Sequence, residues 1–308
     1  MSYDAKMDYL SRNIRNPWAR QAYMHIMDDD QDKNSDPDHW YDIDLEKIDY
    51  NLRHLCVKST MDQETRQFID SCCDASILKN IFDSISSTFL HALFSQTTTN
   101  GLLGRGSMHI FGRQQFLTLV GKSGDWRIPT MLDLGAGDGN ITSVMAEFVE
   151  KVSVTEVSKS MRWRLNRRGY QCVDAFTWPE LYPGKFDLIS CLNVLDRTDR
   201  PLTLLSNIKK CLKPGNGICI IAVVVPVSCY VESGWFGSNT PSEELNVSDD
   251  NFEECVNSLI QNVFNPAGFT VVNFTRLPYL CQGDLYENYY VLNDSIFVLK
   301  SSIPVTHI

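Results

Sequence analysis

The residues best suited to chemistry lie in Leu132-Asp133-Leu134-Gly135-Ala136-Gly137-Asp138-Gly139-Asn140, an apolar run that gives way to alternating glycines and then to helical sequence. In an α/β sheet a ligand lies beyond the carboxyl ends of the strands, and glycine lets the backbone approach it without a Cβ in the way. An acid, Glu156, ends the next strand-like segment, Lys151 to Thr155. It falls about 20 residues past the loop, where a carboxylate can accept both hydroxyls of a ribose. The two features predict a nucleotide-like ligand on Gly135 to Gly139. A dinucleotide fingerprint, Gly-x-Gly-x-x-Gly, needs glycine where Asn140 stands. That departure counts against a dinucleotide, and no phosphate-cradling lysine is present.

A second place for chemistry is Phe186 to Arg197, which reads as the fourth strand running into a loop at the same edge of the sheet. Its polar residues Asn193 and Asp196 either meet a substrate or cap the helix that begins near Pro201. Of the six histidines, His25, His39, His54, His91, His109 and His307, none falls between Ile110 and Thr306. This excludes a histidine base or a His-ligated metal site from the core, so no metal is expected.

The elements that must position these residues follow from periodicity. Ile141, Val144, Met145 and Phe148 recur at helical spacing after the glycine loop. A basic amphipathic helix spans Ser158 to Arg168, with Ser158 as N-cap. Tyr170 to Asp174 reads as the third strand, with Asp174 or Trp178 offered to a base. Pro201 to Leu212 is helical, Lys213-Pro214-Gly215-Asn216-Gly217 ends it, and the β-branched run Ile218 to Val225 predicts a buried strand. Ser228 to Val247 lacks periodicity and reads as an irregular insertion over the site. A last helix is predicted over Asn251 to Phe264, and closing strands over Phe269 to Phe274 and Tyr289 to Lys300, the latter interrupted at Asn293-Asp294.

Residues 1–125 show no β-α repeat and read as a mainly helical extension and lid, leaving 126–308 as the ligand-binding core. Eight aspartates and one lysine between Asp28 and Asp44, with Pro37 and Trp40-Tyr41, predict a solvated loop pinned by aromatics. Apolar residues from Phe68 to Leu93 recur at helical spacing and predict one or two helices.

A chain of 308 residues can bury a substantial core. With 28 basic and 38 acidic residues, net charge −10, it repels a phosphate backbone, so nucleic acid is a poor substrate. Ten cysteines without a Cys-x-x-Cys pair, several inside apolar runs, predict reduced core residues and an intracellular, cytoplasmic setting. Adjacent Cys72-Cys73 is read as structural. The N-terminus has no apolar signal region and no stretch approaches the roughly 18 apolar residues of a membrane span.

Leu-Asp-Leu-Gly-Ala-Gly-Asp-Gly at 132–139 resembles motif I of the class I S-adenosylmethionine-dependent methyltransferases, in which Asp133 would help orient the amino-acid part of the cofactor. Arg105, in the glycine-rich segment Gly101 to Met108, is then placed to grip the methionyl carboxylate; a plain connector is the alternative. Adding Leu-Leu-Gly-Arg-Gly-Ser-Met at 102–108, Ser-Cys-Leu-Asn-Val-Leu-Asp-Arg at 190–197 and Phe-Thr-Arg-Leu-Pro-Tyr-Leu-Cys at 274–281, nearly the whole chain resembles the DREV family of protein-histidine N-pros-methyltransferases. The resemblance implies an α/β Rossmann-like sheet of seven strands, mostly parallel with an antiparallel last strand. It implies S-adenosylmethionine as donor, S-adenosylhomocysteine as product, and protein or peptide substrates carrying His-x-His motifs. Gly135, Gly137, Glu156 and Asn193 would bind the cofactor; Asn193, Asp196 and Tyr290 match the positions that hold the substrate imidazole. Tyr289 and Tyr290 face opposite sides of an extended strand, so one lines the pocket, and Tyr290 is chosen. Animal relatives can associate with endomembranes or mitochondria through an N-terminus unlike this one.

The chemistry is consistent with that assignment. Methylating Nδ1 of a neutral imidazole requires the hydrogen on Nε2, and a carboxylate accepting that hydrogen fixes the tautomer. Asp196 suits this role. Two alternatives differ in what a labelled methyl group would enter: a class I enzyme for a small metabolite labels only low-mass compounds, and a non-catalytic S-adenosylmethionine-binding scaffold labels nothing.

Overall fold

Apolar runs alternating with amphipathic helices fold into one mixed sheet flanked by helices, seen in a computed structural model that describes residues 37–73, 107–229, 231, 240–248, 250–283 and 288–302. The strands are β1 (Met108–His109), β2 (Ile128–Leu134), β3 (Val149–Thr155), β4 (Gln171–Val173), β5 (Leu188–Leu192), β6 (Ile218–Val224), β7 (Phe269–Gln282) and β8 (Tyr289–Ser301). The helices are α1 (Gln63–Cys73), α2 (Arg113–Val120), α3 (Asn140–Ala146), α4 (Lys159–Arg167), α5 (Trp178–Leu181), α6 (Pro201–Cys211) and α7 (Phe252–Ser258). Spatial order is β1-β7-β8-β6-β5-β2-β3-β4. Strands β4, β3, β2, β5 and β6 are parallel. β8 then inserts antiparallel between β6 and β7, and β7 is antiparallel to β8.

The reversal of strand order at β2 and β5 puts the carboxyl ends of both beside one crevice, where ligands bind in open α/β sheets. Side-chain alternation along the strands separates two cores. Met131, Leu188, Ile220, Ala222, Val224 and Ile296 pack on one face with Phe116 of α2 and Met145 of α3. Leu132, Ile189, Cys219, Ile221, Val223 and Phe297 pack on the other with Trp178, Leu205, Ile208 and Val256.

The predicted seven strands are present, and an eighth, β1, adds to the edge through Met108↔Cys281 and His109↔Leu280. Two residues carry no periodicity to read. β8 runs unbroken through Asn293-Asp294, because Asp294 is fully buried and pairs with Val224 of β6. β7 likewise runs on from Phe274 to Gln282. The last helix is α-helical to Ser258 and continues as a π-helix over Leu259–Phe264. Its start is as the sequence predicts: the Asn251 side chain accepts from Glu254 N at 3.0 Å.

The described residues before 125 supply core as well as cover. Ile48 packs in one core and Tyr41, Ile110, Phe111 and Phe116 in the other. Pro37–Tyr41 is a 3-10 turn with Trp40 edge-on to Tyr289 at 6.4 Å between ring centres. Helix α1 covers the first part of the helical periodicity; the remainder, residues 74–106, lies outside the described residues. All ten cysteines are unbridged, Cys72 buried and Cys73 exposed. Among the described residues no helix is long and apolar enough to cross a membrane.

Candidate active site

The glycine loop leaves β2 beside the end of β3. Gly135 and Gly137 adopt φ of +69° and +56°, the left-handed region that glycine enters without a Cβ clash. A Cβ on Gly135 would lie 2.7 Å from Val194 Cγ2, so this turn must pass close under the loop after β5. A Cβ on Gly137 meets no atom within 4 Å, so the loop presents bare backbone to open space there.

Two acids brace this loop. Asp133 lies beneath it, its carboxylate accepting from Thr142 Oγ1 at 2.6 Å and Ser190 Oγ at 2.7 Å, and so ties α3 and β5 to β2. Burial pushes its carboxyl up to about 6 against the opposing hydrogen bonds. Glu156 sits at the end of β3, 7% exposed, with Oε2 accepting from Gly137 N at 3.0 Å and Oε1 from Ser158 N at 2.7 Å. Burial pushes it up too, and the backbone donors oppose the shift. Each oxygen keeps a second lone pair, so the carboxylate can still accept ribose hydroxyls. Glu156 takes the Ser158 amide that the sequence assigns to no one, and Ser158 at the N-cap of α4 makes no side-chain cap bond. Val157, the next residue, is an exposed apolar side chain at 68%.

The raised Asp133 value has a consequence for stability. An unfolded aspartate titrates near ~3.9, so the folded state prefers the protonated form. That preference acts fully below the unfolded value and is lost as pH rises toward about 6. The stability of Asp133→Asn relative to wild type is therefore expected to rise by about 1 kcal/mol from pH 5 to pH 7. Urea denaturation at both pH values measures it; the same difference at each would show that Asp133 does not titrate in this window.

The loop after β5 forms the other wall. Asn193 N donates to Ala222 O at 3.0 Å, and Asn193 is, among the described residues, the one non-glycine residue with positive φ, 55°. Asparagine tolerates that conformation better than most residues, at a cost of about 1 kcal/mol. Its Nδ2 donates to Asp294 Oδ2 at 2.8 Å, and Asp294 is fully buried on β8. Asp196, 1% exposed in the 3-10 turn Leu195–Arg197, lies 3.0 Å from the Arg197 guanidinium. Both Asp196 carboxylate oxygens, Asn193 Oδ1 and Asp294 Oδ1 are buried without a hydrogen bond. Burial raises the Asp196 carboxyl, with Arg197 opposing. It raises Asp294 well above the ordinary range, where Asn193 and Arg197 oppose the shift and Asp196 adds to it.

The capping alternative for Asp196 therefore fails: the N-cap position of α6 is Arg200, and no amide of that helix bonds the Asp196 oxygens. The start of α6 is served instead by Glu243, from the irregular insertion, whose Oε2 accepts from Thr203 N at 2.8 Å. Tyr290 shares the face of β8 that carries Leu292, Asp294 and Ile296, and packs with that core, while Tyr289 turns to Trp40. Trp178 is buried in the opposite core and is not offered to a ligand. Asp174 is exposed and its Oδ1 accepts from Phe176 N and Thr177 N, both at 2.9 Å. Arg105 lies outside the described residues. Asp294 is the residue that sequence reasoning missed; its one signal was an acid within a β-branched run, read as a strand break.

A model of the DREV methyltransferase family matches residues 40–301 of the chain. The chain is 28% identical over 162 residues to the ubiquinone biosynthesis O-methyltransferase of Idiomarina loihiensis, a match covering 44% of the chain and 65% of that relative. It thus spans just under two thirds of that relative's length. Among solved structures it is similar to the CurJ carbon methyltransferase, with 15% identity, TM-score 0.45, and 80% and 73% of the two chains covered. It is also similar to the N-methyltransferase NodS of Bradyrhizobium japonicum in complex with S-adenosylhomocysteine, with 17% identity, TM-score 0.39, and 61% and 85% covered.

Proposed function

Because the chain belongs to the DREV methyltransferase family, we propose that it uses S-adenosylmethionine to methylate the pros nitrogen, Nδ1, of histidines in His-x-His segments of protein substrates. The cofactor fits the residues present. The open backbone at Gly137 and the spare lone pairs of Glu156 suit an amino-acid nucleoside without phosphates. Gly135, Gly137 and Glu156 would hold it, with Asp133 bracing the loop from below and Val157 flanking the base. Bound there, it supplies an electrophilic methyl group.

The observation that carries the acceptor assignment is a pair of buried side chains, Asn193, whose Oδ1 has no hydrogen bond, and Asp196, whose carboxylate has none and meets the Arg197 guanidinium. Buried acceptors are costly unless a ligand brings hydrogen-bond donors. A neutral imidazole brings one N–H. Asp196 accepts it at Nε2, which leaves the Nδ1 lone pair free, and its charge offsets the cation formed when Nδ1 gains the methyl group. Asn193 faces the ring with its Oδ1 and so places no N–H against the Nδ1 lone pair, and Tyr290 lines the approach.

A small-molecule acceptor is the second reading, favoured by the likeness to a ubiquinone biosynthesis O-methyltransferase. A phenol becomes nucleophilic by losing its proton, and the phenolate would then face the Asp196 carboxylate. Incubating the protein with labelled cofactor, a His-x-His peptide and, separately, a catechol tests the two. Label on Nδ1 of the peptide is expected; label in the catechol alone overturns the assignment, and no label in either supports a scaffold.

Only the neutral imidazole is nucleophilic, and free histidine titrates near ~6.5. With subsaturating peptide the rate is expected to be about tenfold lower at pH 5.5 than at pH 8. A flat profile over that interval would contradict a histidine acceptor.

A further inference from the structure

Asn193 can meet a ligand with either end of its amide, and the ends have the same shape. What decides between them is the partner held by the other end. Nδ2 donates to Asp294 Oδ2 at 2.8 Å across 101 positions of sequence, and the Asn193 oxygen is left buried without a bond. The backbone adds to the constraint: Asn193 stands at φ 55° with its N–H on Ala222 O, so it joins the end of β5 to β6. Asp294 extends the tie to β8, because the antiparallel register sets it opposite Val224 at the end of β6. Three adjacent strands therefore meet at one residue, β6 through its backbone N–H and β8 through its side-chain amide.

We propose that Asp294 is a positioning residue that locks the Asn193 amide with its oxygen toward the acceptor substrate, so that this wall of the site offers no N–H to the lone pair that must take the methyl group. This rests on the function proposed above for the identity of that acceptor, but the lock itself can be read on any acceptor that the protein methylates. Asp294 does not touch the reacting atoms. Asp196, Arg197, Tyr279 and Cys281 lie within electrostatic reach of it. Burial pushes the Asp294 carboxyl up, and with its proton on Oδ1 the uncharged acid still accepts from Nδ2 at Oδ2. An asparagine oxygen at this position can do the same.

The test is a short series assayed on the acceptor that wild type labels, with melting and S-adenosylhomocysteine affinity measured in parallel. Asp294→Ala is expected to lower kcat/KM at least tenfold, with cofactor affinity within about threefold of wild type. Asp294→Asn is expected to keep kcat/KM within about threefold. The exchanged pair Asn193→Asp with Asp294→Asn restores the hydrogen bond with donor and acceptor swapped and still presents an oxygen to the site. It is expected to exceed Asn193→Asp alone by at least tenfold, a rescue that a merely structural role would not give. Wild-type kcat and KM in a folded Asp294→Ala, or an exchanged pair no better than the single variant, overturns the proposal. If Asp294→Ala does not fold, the exchanged pair and Asp294→Asn decide the matter. Label in a catechol and not in the peptide would defeat the histidine assignment while the same series still reported on the lock.

Discussion

Asp196→Asn is expected to methylate a His-x-His peptide at least about tenfold more slowly than wild type while melting normally and binding S-adenosylmethionine with near-normal affinity. The side chain is nearly inaccessible and neither oxygen has a hydrogen bond in the folded chain, so the internal interaction at stake is the ion pair with Arg197 at 3.0 Å. It removes a charge that burial disfavours and leaves the Arg197 guanidinium beside a neutral amide. The cost to stability is therefore small. The cost to chemistry is not, because an amide oxygen accepts the Nε2 hydrogen less strongly and cannot offset the cation on the methylated ring. One charge-assisted hydrogen bond in a water-poor site contributes on the order of 2 to 4 kcal/mol, or roughly 30- to 1000-fold in rate. Turnover, thermal melting and cofactor titration on one preparation separate these effects. Wild-type turnover would remove Asp196 from the role of orienting the imidazole.

Gly137→Arg should abolish cofactor binding in a protein that still folds. Its φ of +56° costs a non-glycine residue about 1 to 2 kcal/mol, which lowers the melting temperature by a few degrees in a chain of this size. The Cβ itself clashes with nothing, since no atom lies within 4 Å of it. The long side chain, however, projects into the space that the loop and Glu156 leave for the ligand. The strained residue also disturbs the Gly137 N–H that holds Glu156 Oε2 at 3.0 Å. A loss of affinity beyond about 100-fold, equal to about 2.7 kcal/mol, is expected by calorimetry with S-adenosylhomocysteine. Unchanged affinity in a folded variant would detach the cofactor from this loop.

What the sequence determined by itself is the part governed by local rules. Strand, glycine turn and helix follow from an apolar run, three positions needing positive φ, and helical spacing after Asn140; the structure has β2, the turn and α3 there. The acid at the end of β3 was legible because its distance from the loop is a property of one β-α-β unit. Long-range pairing alone decided the rest. Asp294 breaks an apolar pattern, and pattern alone cannot tell a strand break from a buried acid whose partner lies 101 residues away. The start of α6 is bonded by Glu243, from a segment without periodicity, so sequence proximity left capping open as an alternative for Asp196 when the partner came from about 40 residues further along the chain. Trp178 follows β4 closely enough to reach a ligand, yet the packing of α5 against α6 turns it into the core. β1 holds its place by two residue pairs with β7, far too short a run for periodicity to register. Local sequence sets which residues can form the loop and its flanks; which buried polar atoms find partners, and which are left for a ligand, depends on strands that meet only when the sheet closes.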